Sequence, residues 1–285
     1  MTRAELTLMN PHQYCAERAA SSGSSFYYSF MFLPARRRRA ITALYAYCRE
    51  VDDVVDETAD VGVARTKLAW WRTELAAVYD GRPQHPVALA LKDIVGEFDL
   101  RYELLAEIID GMQMDLDCNR YPDFASLAQY CHRVAGVVGM LSAHIFGYTQ
   151  SQTLEYAHDL GIAFQLTNIV RDIGEDARRD RIYLPLDDMA RYGVSVADIL
   201  GARDSEGMRN LIRFQIARAR SYYSQALAKL PAADRRAQRA GLIMAAIYRR
   251  LLDEVEAEGT RVLTARISLT PVTKFWLAFR TWIAT

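Results

Sequence analysis

Apolar side chains return at helical spacing through most of this chain. Leu44, Tyr47, Cys48, Val51 and Val55 stand at i, i+3, i+4, i+7 and i+11, while Leu104, Ile108, Met112 and Leu116 step by four. Each set forms a stripe along one side of a helix. Strict two-residue alternation is hard to find, and the helix breakers are sparse, with 15 Gly and 8 Pro in 285 residues. The predicted fold class is therefore all-α. Helices are expected over 12–21, 35–57, 63–79, 86–98, 101–117, 123–146, 152–177, 195–202, 206–229, 234–257 and 271–283. Breaks are expected at Gly81-Arg82-Pro83, Asn119 to Pro122, Gly147 to Gln150, Pro185, Gly201, Pro231 and Gly259. No linker is long or polar enough to divide the chain, so one domain over 1–285 is expected.

Lys plus Arg (35) equals Asp plus Glu (35), so no global field draws nucleic acid, and any electrostatic function is local. Cys15, Cys48, Cys118 and Cys131 form no C-x-x-C pair and no zinc-type cluster, which reads as reduced packing thiols. Met1 to Pro11 lacks a signal-peptide apolar core, and no apolar run is long enough to cross a bilayer. A cytoplasmic protein is expected.

Against this apolar background stand two acidic rows. In Arg49-Glu50-Val51-Asp52-Asp53-Val54-Val55-Asp56-Glu57, Asp52 and Asp56 lie about 40° apart, one turn separated, on a single helix side. Arg49 shares that side, and Asp53 and Glu57 form a neighbouring stripe. In the segment from Gln165 to Asp176, the residues Asn168, Asp172 and Asp176 step by four and span about 12 Å. Gln165 and Arg171 flank them. Like charges one turn apart destabilise a helix by a few tenths of a kcal/mol, and buried unpaired carboxylates cost far more. A bound cation removes both costs. Short oxygen ligands without His or Cys suit Mg²⁺, a hard ion that bridges to substrate phosphates. Arg49 and Arg171 would then contact phosphate oxygens beside the metal.

These segments resemble the squalene/phytoene synthase family. The likeness is specific over Tyr45 to Glu57 and Gln165 to Pro185, and extends from about residue 12 to about 265. Ser22-Gly23-Ser24-Ser25-Phe26-Tyr27-Tyr28-Ser29-Phe30, Lys67-Leu68-Ala69-Trp70-Trp71 and Ile109-Asp110-Gly111-Met112 are most similar to the bacterial presqualene diphosphate synthases of hopanoid biosynthesis. The resemblance implies an isoprenoid synthase-type helical domain around a central cavity. It implies Asp52 and Asp56 as the first metal motif and Asn168, Asp172 and Asp176 as the second, with Mg²⁺, two or three ions, as cofactor. Arg49 and Arg171 are implied as diphosphate ligands. Arg178, Arg179 and Arg181, just after the second motif, read either as a flap over the diphosphate, with Arg181 on substrate, or as an ordinary solvated loop. Tyr45, Phe26, Tyr130, Gln165, Tyr183 and Tyr248 are implied near the substrates, with Tyr130 among the catalytic residues. Relatives often carry a phosphate-contacting Ser where this chain has Gly23; Ser25, Ser22 or Ser24 can take that part.

The implied reaction is a prenyltransferase one: head-to-head condensation of two farnesyl diphosphates to presqualene diphosphate, for squalene and hopanoid formation. Released diphosphate, a tyrosine or a carboxylate can take the proton. The alternatives are phytoene synthesis from geranylgeranyl diphosphate, a complete NADPH-using squalene synthase, and, more remotely, a non-catalytic assembly factor. The basic run Arg36 to Arg39 opens a helix, where cations are disfavoured. Lys274 to Ile283 is aromatic and basic, and either docks on the rest of the chain or touches a membrane surface peripherally. The Trp70-Trp71 and Tyr222-Tyr223 pairs are expected as core and groove residues, and His132 and His144 as packing residues.

Overall fold

The computed structural model describes residues 10–21 and 26–285. Its α-helices are α1 Pro11–Ser21, α2 Phe26–Phe30, α3 Ala35–Glu57, α4 Val61–Tyr79, α5 Pro86–Val95, α6 Tyr102–Asp117, α7 Phe124–Cys131, α8 Val137–Phe146, α9 Gln152–Arg171, α10 Ile173–Arg178, α11 Leu186–Arg191, α12 Val196–Leu200, α13 Glu206–Lys229, α14 Arg239–Glu258 and α15 Pro271–Ala284. Among the described residues no strand forms; the one β pairing is a bridge between Arg120 and Ile182. Short polar side chains set the starts. Asp60, Asp123 and Ser205 accept from the backbone N–H of Val63, Ser126 and Met208, and Thr270 caps α15 ahead of Pro271.

Two apolar clusters build the interior. One joins α1, α3, α4, α5 and α6 with the inner side of α8. The other gathers α7, α9, α13 and α14. The four cysteines are free, with Cys15 and Cys131 buried.

Three expected helices differ. The 123–146 stretch is interrupted by a π-helical turn, His132–Gly136, between α7 and α8. His132 there pairs with His158 of α9 at 2.9 Å and with Glu107 of α6 at 2.9 Å. The 152–177 stretch breaks at Asp172 (φ −102°, ψ 12°). Gly174 sits there so close to the Leu263 backbone that a Cβ would lie 2.0 Å from its carbonyl oxygen. The last turn is thereby steered onto the 3₁₀ segment Gly259–Leu263. The 234–257 stretch starts only at Arg239, because Asp234 is turned back to bind another loop. Trp71 is buried, whereas Trp70 is 46% exposed, edge-on to Trp71 and His85, which take the inner space.

The π turn and α8 lie against α9 at backbone contact. A Cβ on Gly139 would stand 2.1 Å from the Ala157 carbonyl oxygen, and one on Gly161 2.2 Å from that of Ala135. Gly161→Ala gains up to about 1 kcal/mol of helix propensity. The backbone clash costs more, about 1–3 kcal/mol or above for overpacking. We expect a net loss that lowers Tm by several degrees in a thermal melt; an unchanged Tm would show that the two helices can separate freely.

Candidate active site

Helices α3, α6, α7, α9 and α10 surround a polar vestibule lined by Arg49, Asp52, Asp56, Asp115, Tyr130 and Asn168, and further by Arg171, Asp172, Asp176, Arg181, Tyr183 and Arg266. The two acidic rows, each on one helix side as its spacing predicts, face one space. Although α9 ends at Arg171, the backbone bonds Asp172 N to Asn168 O (2.8 Å) and Asp176 N to Asp172 O (2.9 Å) carry the four-residue register across the break.

Arginines hold most of these carboxylates. Arg49 pairs with Asp52 at 2.7 Å and also grips Asp53. Arg179 and Arg181 reach Asp56 at 2.9 and 2.7 Å. Arg171 donates to Asp172 through Nε at 2.7 Å and through Nη2, and Arg266 approaches Asp172 at 3.3 Å. Desolvation and then the neighbouring Asp56 push the Asp52 carboxyl up to about 7. Burial, Asp172 and Glu175 push Asp176 up to about 8. Asp53, on the neighbouring stripe, is buried between Arg18 and Arg49, and so braces α3 against α1.

Beyond the vestibule opens an apolar chamber lined by Phe26, Phe30, Ile41, Tyr45, Leu160, Phe164 and Met244, among others. Gln165 and Asn168 line both spaces. Measured along α9 from Asn168 to Tyr156, the chamber is about 18 Å deep at 1.5 Å per residue. Phe26 lies 5.6 Å from Tyr45 and 6.4 Å from Tyr248 between ring centres, and Phe164 lies 4.8 Å from Tyr248. Of the aromatic residues expected near substrate, Phe26, Tyr45 and Tyr248 therefore form one ring group. Tyr130 and Tyr183 stand apart from it in the vestibule, stacked at 5.2 Å. Ser25 lies outside the described residues.

Asp115 was missed by the sequence reading. It accepts from the Tyr130 hydroxyl at 2.9 Å and the Tyr183 hydroxyl at 2.8 Å. Burial raises its carboxyl to about 6, against the pull of Arg181 and the two hydroxyls. A signal exists: Ile108, Met112 and Asp115 stand at i, i+4 and i+7, which sets a carboxylate on an apolar stripe. Arg266 carries no such signal, since its approach to Asp172 depends on the distant loop after α14.

Among the described residues no three His, Cys, Asp or Glu side chains converge on one point. The rows oppose each other across open space, so substrate oxygens would have to complete any metal shell between them. The residues fit such a group. The donors are all hard oxygens, the two desolvated carboxyls stand beside like charges, and Asn168 Oδ1 is buried without a hydrogen-bond partner among the described residues.

The sequence profile described as squalene/phytoene synthase matches residues 19–273. The phytoene synthase of Arthrospira platensis is 37% identical over 93% of this chain and 90% of its own length. Among solved structures, a dehydrosqualene synthase in complex with ligand superposes with a TM-score of 0.84 at 26% identity, covering 96% of each chain. The squalene synthase HpnC from Alicyclobacillus acidocaldarius gives 0.79 at 26% identity, over 87% of this chain and 94% of that one.

Proposed function

Because this chain belongs to the squalene/phytoene synthase family, we propose that it is a Mg²⁺-dependent prenyltransferase that condenses two farnesyl diphosphates head to head into presqualene diphosphate. The observation that carries this reading is the junction of two spaces. A vestibule of opposed carboxylates and arginines opens, at Gln165 and Asn168, into a long apolar chamber. A ligand matching both has an anionic head and a hydrocarbon tail.

Asp52 and Asp56 from one side, with Asn168, Asp172 and Asp176 from the other, would hold Mg²⁺. Bound Mg²⁺ supplies charge neutralisation on the departing diphosphate. Arg49, Arg171, Arg179 and Arg181 exchange their carboxylate partners for phosphate oxygens as substrate enters. The donor's C1–O bond breaks and its electron pair leaves with the diphosphate. Phe26, Tyr45, Phe164 and Tyr248 enclose the allylic cation and keep water away, each ring face contributing about 0.5–2 kcal/mol. The acceptor's C2–C3 double bond attacks C1, and proton loss closes the cyclopropane while the acceptor keeps its diphosphate. Asp115 fixes the hydroxyls of Tyr130 and Tyr183 at the head-group end.

Farnesyl as the tail rests on the likeness of Lys67 to Trp71 and Ile109 to Met112 to presqualene diphosphate synthases. A second reading, phytoene synthesis from geranylgeranyl diphosphate, is favoured by the 37% identity to phytoene synthase. Pyrophosphate release from each diphosphate, with Mg²⁺ and with chelator, tests the reading; release unaffected by chelation would refute it. The buried rings of Phe146 and Tyr156 close the far end of the chamber. Phe146→Ala is expected to raise the geranylgeranyl-to-farnesyl rate ratio by about tenfold, the scale of about 1.4 kcal/mol. An unchanged ratio would place the length limit elsewhere.

A further inference from the structure

Helix α15 is turned opposite to a helix that merely packs on its own chain. Its inner side carries Lys274, Leu277, Ala278, Thr281 and Thr285, and Ala278 alone is buried. Its outer side carries Val272, Phe275, Trp276, Phe279 and Ile283, at i, i+3, i+4, i+7 and i+11. Val272 is 78% exposed, Ile283 63% and Trp276 57%. Globular helices ordinarily bury the apolar stripe and expose the polar one. Of the two sequence alternatives, α15 does dock, but through its small and polar side, leaving the aromatic stripe open.

The surroundings of that stripe are basic. Trp282 stacks on Phe32 at 5.4 Å, the Arg239 guanidinium lies 5.5 Å over Trp282, and Lys274 lies 5.8 Å over Tyr28. Residues 259–285 carry Arg261, Arg266, Lys274 and Arg280 and not one Asp or Glu. Arg261 and Arg266 pair with Glu258 and Asp172, while Arg239 and Lys274 lie over the rings at the helix. In a chain with equal acids and bases overall, this helix itself carries Lys274 and Arg280 and no Asp or Glu. The same helix lies next to segments that line both spaces of the site. Arg266, a few residues before α15, lines the vestibule and approaches Asp172 at 3.3 Å. At its other side α15 packs on α2, whose Phe26 and Phe30 line the apolar chamber.

We propose that α15 is the surface by which this protein lies on an anionic lipid bilayer, with its aromatic stripe at the acyl boundary and the flanking arginines on the headgroups. An amphipathic helix with Trp and Phe on one side and Lys and Arg flanking them binds such surfaces. The placement also gives a hydrocarbon-tailed ligand a short path between bilayer and chamber. The inference rests on the surface itself and holds for either prenyl diphosphate.

The test uses the full chain with phosphatidylglycerol vesicles and with phosphatidylcholine vesicles. Sedimentation with the anionic vesicles is expected, with at least about tenfold weaker binding to the neutral ones. Brominated acyl chains are expected to quench tryptophan emission, a readout that needs no variant. Trp276→Glu and Phe279→Glu should each weaken vesicle binding by about tenfold or more, while far-UV circular dichroism and Mg²⁺-dependent pyrophosphate release in detergent stay unchanged. Wild-type protein that stays in the supernatant with anionic vesicles overturns the proposal. So does a dimer, seen by light scattering and abolished by Trp276→Glu, in protein that binds no vesicles; that result assigns the stripe to a second copy of the chain.

Discussion

Asp52→Asn is expected to lower prenyl diphosphate turnover by about a thousandfold or more while leaving the fold as stable as before. The rate effect follows from the proposed metal-holding role, which is worth several kcal/mol of charge stabilisation, with each 1.36 kcal/mol a factor of about ten. The stability effect follows from the neighbours. The carboxylate stands one turn from Asp56 in a desolvated space, so an amide of the same shape relieves repulsion. It forfeits only the partly exposed pair with Arg49, which keeps Asp53. Asp176→Asn should behave alike. Asp172→Asn should lose activity and stability together, because Arg171 is largely buried and Asp172 is its bidentate partner. Steady-state rates and thermal melts on the three variants separate these cases. Near-normal turnover in Asp52→Asn would remove that residue from the metal assignment.

The largest expected stability loss lies outside the site. Asp234 is 1% exposed and accepts four hydrogen bonds: Thr149 N at 2.8 Å, Thr149 Oγ1 at 2.7 Å, Gln150 N at 3.1 Å and Thr153 Oγ1 at 2.6 Å. It thus ties the turn before α9 to the approach of α14. Asp234→Ala strands these donors, at a cost of about 3–5 kcal/mol. At roughly 2–4 °C per kcal/mol, Tm should fall by about 10 °C. Burial alone would raise this carboxyl, but the bonds from Thr153, Thr149 and Gln150 outweigh it and hold it below its ordinary range. A depressed folded value means that the contribution is present above the unfolded value of about 3.9 and is lost as pH falls through the folded one. The gap in Tm between wild type and Asp234→Ala should therefore narrow in acid below about pH 4. A constant gap down to that range would show that the bonds do not depend on the charge.

Local signals were enough for much of this. The stripe Leu44 to Val55 marks α3, which is observed over the expected 35–57, and the breaks at Gly201 and Pro231 bracket α13. The acidic rows were readable because a carboxylate every fourth residue in apolar sequence is costly without a counter-ion. What escaped depends on contacts between distant segments. The bend at Asp172 is enforced by Leu263 through Gly174, and the late start of α14 by Thr149 and Thr153 through Asp234. The pairing of Arg179 and Arg181 with Asp56 joins residues on α3 to others far along the chain. No local pattern encodes it. Of the Trp70-Trp71 pair only Trp71 is core, because Trp71 and His85 fill the space beneath Trp70, and no local pattern says which of two adjacent rings turns inward. Asp115 was within reach, as a charged residue in step with Ile108 and Met112.

The most direct measurement is mass-spectrometric product analysis with farnesyl diphosphate and Mg²⁺, in the absence of NADPH. Presqualene diphosphate is the expected product, with one pyrophosphate released for each pair of farnesyl diphosphates consumed. No condensation product from farnesyl diphosphate, alongside phytoene from geranylgeranyl diphosphate under the same conditions, would contradict it.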